Sequence, residues 1–466
     1  MSLSGEDGIN ALLNPSSVAV IGATPRRDSI GNIITINLAK KYRGKLYLVN
    51  PRYTDINGIK AYPSIKEIGE PIDLAVIVVP APLVPSVMRE VSEAGTKAAI
   101  IISGGFSEVG EEGARLEEEV KKSAGKVRIL GPNCIGVFNA STGLDTFFLP
   151  EERMGRPRPG PLALISQSGA VAGSILDWAA RRNLGIGIAV NYGNKLDVTE
   201  TDLMRFLALD PSVKVITMYM EGFKYPGEGR RFMEAAKEVS KRKPIIIYKA
   251  GRSRASKRAV ASHTAALAGN YEIYSAAFKQ AGLIESSSLR DMFDMAKALA
   301  TQPLPRGRRV LILTDSGGMG VQATDSLEPL GLMVPELPET QRDRLRKILP
   351  PLAAVGNPID LTGSATDEMY KSVLEEILPT DSVDMAMVIA LMQLPGLTVN
   401  LANYIIEAKK YGKPVVAVSF GGNEFMARFN DALDKGGIPV YATPDRAAKA
   451  LWALTEYAKV VGEIHE

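Results

Sequence analysis

From residue 17 onward, short runs of β-branched and aliphatic residues alternate with longer stretches whose apolar positions recur at helical spacing. "SVAVIGA", "KLYLVNP", "LAVIVVP", "AAIIISGGF" and "VRILGPNCIG" lack polar alternate positions, which predicts parallel strands buried on both faces. Segments between them, such as "LVPSVMREVSEAG", carry the helical pattern. A doubly wound parallel sheet is therefore predicted for residues 1–148. The stretch "LPEERMGRPRPGP" (149–161) is rich in Pro, Gly and Arg, has no apolar period, and reads as a linker. A second series of strands, "PLALISQSG", "GIGIAVNYG", "KVITMYMEGF" and "KPIIIYKAG", fills residues 160–300. The breaker "TQPLPRGRR" precedes a third, at 306–466, with "VLILTDSGG", "MAMVIALMQ", "KPVVAVSFGG" and "IPVYATPDR".

The second and third series read as copies of one plan. "LALISQSGAVAGSIL" aligns with "VLILTDSGGMGVQAT", setting Ser168-Gly169 over Ser316-Gly317, and "KPIIIYKAGR" aligns with "KPVVAVSFGG".

Composition narrows the possibilities. The 466 residues carry 55 Lys and Arg against 52 Asp and Glu, a balance that argues for neither a nucleic-acid nor a membrane surface. No run of about 18 apolar residues predicts a membrane span, and "MSLSGEDGIN" shows no export signal. With a single cysteine, Cys134, neither a disulfide framework nor a Cys-rich metal site is available. The expectation is a cytoplasmic protein.

Three turns carry candidate chemistry. "VIGATPRRDSIGN" (20–32) joins a strand, Gly22, a loop and Gly31 at a helix start, a cradle in which backbone N–H groups face an anion. A site for NAD would want an acid at the end of the next strand, but "LVNPRY" offers Asn50, Pro51 and Arg52. That favours a ligand with an extra ribose phosphate, such as coenzyme A or NADP; an empty nucleotide-type fold is the bland alternative. "SQSGAV" places Ser166, Gln167, Ser168 and Gly169, and "DSGGMG" places Ser316, Gly317 and Gly318, where a strand becomes a helix. Each could be plain capping. As a repeated pair, their helix N-termini could hold one phosphoryl group without a metal.

His263, in "SKRAVASHTAALAGN", is the one histidine away from the C-terminus, where His465 is the other. A neutral imidazole is a good phosphoryl acceptor, best when a carboxylate orients its second ring nitrogen. Glu221 ends the otherwise apolar strand "TMYM" and could do so; a salt bridge is the bland reading. No second His or Cys lies near His263, so no metal site is expected there. Cys134 reads as a small buried residue rather than a nucleophile.

In this order along one chain, these motifs resemble the α subunits of ADP-forming acetate–CoA ligases, within the nucleoside-diphosphate-forming acyl-CoA synthetase superfamily. "SVAVIGATPRRDSIGN", "VNPRY", "ISGGFSEVGEEG" and "GPNCIGVFN" look like the CoA-binding domain. "ISQSGAVA", "NYGNKLDV", "MEGF" and "SKRAVASHTAALAG" look like the phosphohistidine domain, and "LTDSGGMGVQATDSLEPLG" with "GNPIDLTGSA" looks like the small ligase domain. The resemblance implies a Rossmann-like domain followed by two flavodoxin-like, succinyl-CoA-synthetase-type domains. It implies the reaction acyl-CoA + phosphate + ADP ⇌ acid + CoA + ATP, with His263 phosphorylated, Glu221 orienting it, and the two serine–glycine turns holding the phosphoryl group. Positions matching the CoA contacts are Gly22, Ala23, Thr24, Gly31, Pro51, Arg52, Ile102, Ser103, Gly104, Pro132 and Asn133. Finally, it implies an ATP-grasp β subunit that binds ADP or ATP with Mg²⁺, in an α₂β₂ heterotetramer. A succinyl-CoA synthetase α-type chain, a non-catalytic CoA-binding regulator and an NADP-dependent dehydrogenase are the alternatives.

Overall fold

The computed structural model describes residues 3–182, 184–263, 270–422 and 424–464, with the side chains of residues 3–5 and 259–263 outside that description. Its strands form three sheets. The first holds β1 (Ser17–Ile21), β2 (Lys45–Val49), β3 (Asp55–Ile56), β4 (Ile59–Tyr62), β5 (Leu74–Ile77), β6 (Ala98–Ile101) and β7 (Arg128–Leu130), in the order β3-β4-β2-β1-β5-β6-β7. All but the short β3 run parallel to their neighbours.

Alternate residues of each central strand serve opposite cores. Val18, Val20, Leu74, Val76 and Ile100 belong to one buried cluster, and Ala19, Ile21, Ala75, Ile77 and Ile101 to another. Both faces are thus covered, as the unbroken apolar runs predict. A one-residue slip would exchange the two sets against helices that do not fit them, which fixes the register.

The second sheet contains β8 (Gly136–Asn139), β9 (Leu144–Asp145), β10 (Leu162–Ser166), β11 (Ile186–Asn191), β12 (Val215–Met220), β13 (Ile245–Lys249) and β14 (Ile284–Glu285), ordered β14-β13-β12-β10-β11-β8-β9. Here the structure departs from the sequence reading. "VRILGPNCIG" is not one strand of the first sheet: β7 ends at Leu130, and β8 pairs antiparallel with β11 of the second. Left-handed backbone at Gly131 (φ 97°), Asn133 (φ 55°) and Gly136 (φ 92°) turns the chain between them. One apolar cluster accordingly runs from Val18 and Val20 to Ile165, Val190 and Met218, across both sheets. The 149–161 segment has no strand or helix of its own, yet it is tied down. The Arg156 side chain, 4% exposed, is bonded to Asp145 at 2.6 Å and to the carbonyls of Met154 and Leu149.

The third sheet is all parallel: β15 (Val310–Thr314), β16 (Ile359–Asp360), β17 (Met385–Ile389), β18 (Val415–Val418) and β19 (Val440–Tyr441), ordered β16-β15-β17-β18-β19. Leaving aside β8 and β9, the second sheet has the same 2-1-3-4-5 connectivity, the flavodoxin-like winding. The chain is therefore α/β throughout, and two of its sheets repeat one topology.

The three sheets sort into two compact units, Met1–Glu285 with two sheets and Ser286–Glu466 with one. In the second unit the helix Leu289–Thr301 packs on the helix Pro444–Val460, where Arg446 forms a two-pronged pair with Asp294 at 2.6 and 2.7 Å. Among the described residues no helix is long and apolar enough to cross a membrane.

Candidate functional site

In the first unit, β1 delivers the chain into Gly22 (φ 96°) and a loop that re-enters a helix at Ile30–Lys41. Ser29 caps that helix by accepting the Asn32 N–H at 3.3 Å. A Cβ on Gly31 would overlap the Gly22 carbonyl oxygen, so helix and turn meet backbone to backbone. Two amides brace the loop: Asn32 donates to the Thr24 carbonyl at 2.9 Å and Asn50 to that of Ala23 at 2.8 Å, while Asn50 accepts the Arg52 N–H at 2.9 Å. Ala23 is buried, whereas Arg26, Arg27, Pro51 and Arg52 stand exposed.

The other predicted CoA positions close the same edge. Ser103 donates to the Val79 carbonyl at 2.5 Å, and the Asn133 N–H reaches the Ser103 carbonyl at 2.9 Å. Ile102 and Pro132 are buried beneath; Gly104 and Asn133 are exposed. The structure thus brings Gly22–Thr24, Pro51–Arg52, Ile102–Gly104 and Pro132–Asn133 to the carboxyl ends of β1, β2, β6 and β7. This edge contains the switch point between β1 and β5, the ordinary place for a ligand on such a sheet.

At the end of β10 a second turn is built from amides. Ser166 donates to the Ser168 carbonyl at 2.7 Å, and Ser168 caps the helix Gly169–Arg181 by accepting the Val171 N–H. Asn191, at the end of β11, donates to the carbonyls of Ser166 and Gln167 at 2.9 and 3.1 Å. The Gln167 Oε1 in turn accepts the N–H groups of Glu221 at 2.8 Å and Gly222 at 3.1 Å. Glu221 is only 4% exposed, and its Oε1 accepts the Tyr219 hydroxyl at 3.4 Å. The predicted phosphate turn is therefore bonded directly to the main chain of Glu221, the predicted orienting residue. His263 ends the helix Arg254–His263, just beyond β13, but its side chain lies outside the described residues.

In the second unit the turn after β15 repeats this plan with altered chemistry. Thr314 donates to the Ser316 carbonyl at 3.0 Å, as Ser166 does to Ser168. The Asp315 Oδ2 accepts the Leu391 N–H at 2.8 Å, as Gln167 accepts that of Glu221. Strand register sets Asp360 where the first copy has Asn191. Carboxyls replace both amides, and Leu391 stands at the position of Glu221. Burial lifts the Asp315 carboxyl to about 6, with Asp360 adding to the rise and the Leu391 N–H opposing it. Gly317 and Gly318 are exposed, and Gly317 lies against Asp360, whose Oδ2 would be 2.8 Å from a Cβ there.

Over 461 residues the chain is 41% identical to the α subunit of acetate–CoA ligase [ADP-forming] II from Pyrococcus furiosus, covering 97% of this chain and 99% of that one. The chain belongs to the ADP-forming acetate–CoA ligase α-subunit family. A CoA-binding domain model matches residues 16–140, a succinyl-CoA ligase like flavodoxin domain 159–299, and a ligase-CoA domain 310–464. An acetate–CoA ligase [ADP-forming] from Methanocaldococcus jannaschii is 40% identical over 95% of this chain, which spans 62% of that longer one. Acetyl-coenzyme A synthetase 1 of Candidatus Korarchaeum cryptofilum, solved in complex with phosphate and ADP, superposes with a TM-score of 0.90 at 38% identity, covering 98% of each chain.

Within this family fold, a buried charged network joins the two edges of the first unit, and sequence reasoning missed it. Lys195, 1% exposed and in left-handed backbone (φ 48°), contacts Glu228 at 2.6 Å, Glu200 at 3.4 Å and the Gly222 carbonyl at 3.2 Å. Burial raises the Glu200 carboxyl to about 7, against the pull of Lys195. Lys224 pairs with Glu117 and donates to Ser107 Oγ and the Asn194 carbonyl, both at 3.2 Å. Burial alone would raise Glu108, but hydrogen bonds from Asn194 and from the Gly105 and Phe106 N–H groups hold it below the usual carboxylate range. The loop after β6, at the predicted CoA edge, is thereby tied to the loop after β11, the strand whose last residue, Asn191, braces the Ser166–Gly169 turn. Cys134 is buried with its thiol pushed up to about 12, so it has no nucleophilic character at neutral pH.

Two cavities of about 770 and 850 Å³ open elsewhere on the first unit. Neither is lined by a residue of the turns.

Proposed function

We propose that this chain supplies the CoA- and phosphate-handling half of an ADP-forming acid–thiol ligase. The overall reaction is acyl-CoA + phosphate + ADP ⇌ carboxylic acid + CoA + ATP. Three functional domains, 1–148, 160–300 and 306–466, divide the work. Coenzyme A lies along the carboxyl edge of the first sheet. Its phosphates meet the Gly22–Gly31 turn and the exposed Arg26, Arg27 and Arg52, while Ser103, Gly104 and Asn133 flank the thioester end. A phosphate oxygen attacks the thioester carbon; the C–S bond breaks and CoA leaves as thiolate, giving an acyl phosphate. A ring nitrogen of His263 then attacks phosphorus, and the P–O bond to the acyl group breaks with its electron pair staying on the released carboxylate.

Glu221 accepts the other ring N–H and stabilises the charged ring. The helix N-terminus at Ser168-Gly169 receives the phosphoryl oxygens. The turn at Ser316-Gly317-Gly318 offers a second helix N-terminus of the same kind to a phosphoryl group. Return of the phosphoryl group to ADP belongs to a β subunit of ATP-grasp type with Mg²⁺, in an α₂β₂ assembly within the cytoplasm.

The observation that carries this reading is the Gln167 bridge, which fixes Glu221 against the Ser166–Gly169 turn at 2.8 Å. Intact-protein mass after incubation with acetyl-CoA and phosphate tests it, beside a His263→Asn control. The expected result is one acid-labile phosphoryl group, absent from the control. No phosphorylation, even after adding the β subunit and ATP, would leave a CoA-binding module as the reading.

A further inference from the structure

That mechanism gives no part to Lys249, a buried cation like Lys195 but held by main-chain carbonyls rather than by carboxylates. Lys249 is the last residue of β13, and the helix ending in His263 starts at Arg254, just beyond it. Its side chain is only 1% exposed. Nζ donates to the Glu221 main-chain oxygen at 2.7 Å and to that of Ala250 at 2.6 Å, and lies 4.5 Å from the centroid of the Tyr274 ring. An ammonium has three N–H bonds, and two carbonyls and an aromatic face engage all three. Burying a charge is costly, and a methionine would fill much the same space without that cost. The charge therefore has a use.

Several charged groups face this ammonium. Glu221 approaches from the end of β12, Glu285 from β14, Lys257 from the helix Arg254–His263, and Arg252 from the connecting loop. Arg252 also donates from Nε to the Lys249 carbonyl at 3.0 Å. Strand register pairs Lys249 with Met220, which puts the cation beside the residue that follows, Glu221.

We propose that Lys249 is a positioning residue for phosphoryl transfer: its ammonium clamps the main chain of Glu221 to the root of the His263-bearing helix and so aims the carboxylate at the imidazole. The proposal rests on the reading that His263 accepts the phosphoryl group. Lys249 touches no reacting atom. Burial lowers its pKa from the usual 10.5 to about 8, with Lys257 and Arg252 adding to the fall and the two carboxylates opposing it. The clamp is therefore charged at neutral pH and is discharged above it.

Two consequences separate this role from a merely structural one. Phosphoryl uptake should fall as pH rises through about 8. Folding stability should move the other way there: the unfolded chain keeps the Lys249 proton up to 10.5, so losing it from the folded state between 8 and 10.5 stabilises the fold.

The test measures the rate of acid-labile phosphorylation from acetyl-CoA and phosphate, from pH 6 to 10, for the wild-type chain, Lys249→Met, Lys249→Arg and His263→Asn. Lys249→Met should slow uptake roughly 100-fold, the cost of a misplaced group. Its KM for acetyl-CoA should not move. Lys249→Arg, which stays charged, should carry the alkaline limb to higher pH. Equal rates in wild type and Lys249→Met would overturn the proposal; so would an unchanged alkaline limb in Lys249→Arg, which decides the matter if Lys249→Met does not fold. A wild-type chain that takes up no phosphoryl group refutes the His263 reading instead, and is distinguishable because every variant is then silent.

Discussion

Glu221 and Lys249 occupy the ends of neighbouring strands, and each places an ionic group in a nearly dry environment. Glu221→Gln keeps the side-chain volume and removes the charge, so phosphoryl uptake should fall by about 100-fold or more while coenzyme A affinity is retained, as stopped-flow and calorimetric titration would register. Glu200 bears on stability rather than rate. Its folded pKa of about 7 lies above the ordinary 4.5, so the stabilisation is complete below about 4.5 and is lost as pH rises through 7. Thermal melts at pH 5 and pH 8 should show a larger drop for wild type than for Glu200→Gln, worth up to roughly 3 kcal/mol. Glu221 was legible because a carboxylate closing an apolar strand demands an explanation. Lys249, closing "IIIYK", met the same criterion. Lys195 did not, since "NYGNKLDV" looks like a polar loop, and only Glu200, Glu228 and the Phe223 ring, brought together by the fold, make it a buried cation.

At the level of elements, the strand–turn–helix joints matter more than any one strand. Gly31→Ala would drive a methyl into the Gly22 carbonyl, and backbone cannot yield as a flexible side chain can. A cost of about 1–3 kcal/mol is expected, read as a loss of roughly tenfold or more in coenzyme A affinity by calorimetry. Gly169→Ala would set its methyl 2.9 Å from the Cγ2 of buried, β-branched Ile135 and 3.3 Å from the Asn191 Oδ1, so it too should cost about 1–3 kcal/mol. The internal repeat was visible in "ISQSG" and "LTDSG", and the shared 2-1-3-4-5 order and matching turn hydrogen bonds give it atomic content. The change from amide to carboxyl at Asp315 and Asp360 could be read from sequence only once strand register had paired those positions with Gln167 and Asn191. Similarly, the hairpin of β3 and β4 is announced by Asn57-Gly58, both in left-handed backbone, a two-residue signal submerged in an otherwise parallel pattern.

As a whole molecule, the chain should not complete the reaction alone. Supplied with acetyl-CoA, phosphate and ADP, this chain should form a phosphoenzyme but no ATP. Adding the β subunit should start steady ATP release, followed by a luciferase assay, and light scattering of the mixture should give the mass of α₂β₂. The three alternating strand–helix series were plain in the sequence. Which series a strand joins was not, because β8 is as apolar as its former neighbours and only the turns at Gly131 and Asn133 redirect it. That crossing has an evolutionary side. The proline-rich stretch at 149–161 looks like the natural place for recombination to cut, yet a break there would strip β11 of β8 and leave a bare, sticky strand edge. Before Ser286 no strand pairing among the described residues is severed. Gene shuffling should therefore pass the first two sheets on as a single heirloom, and trade the third freely.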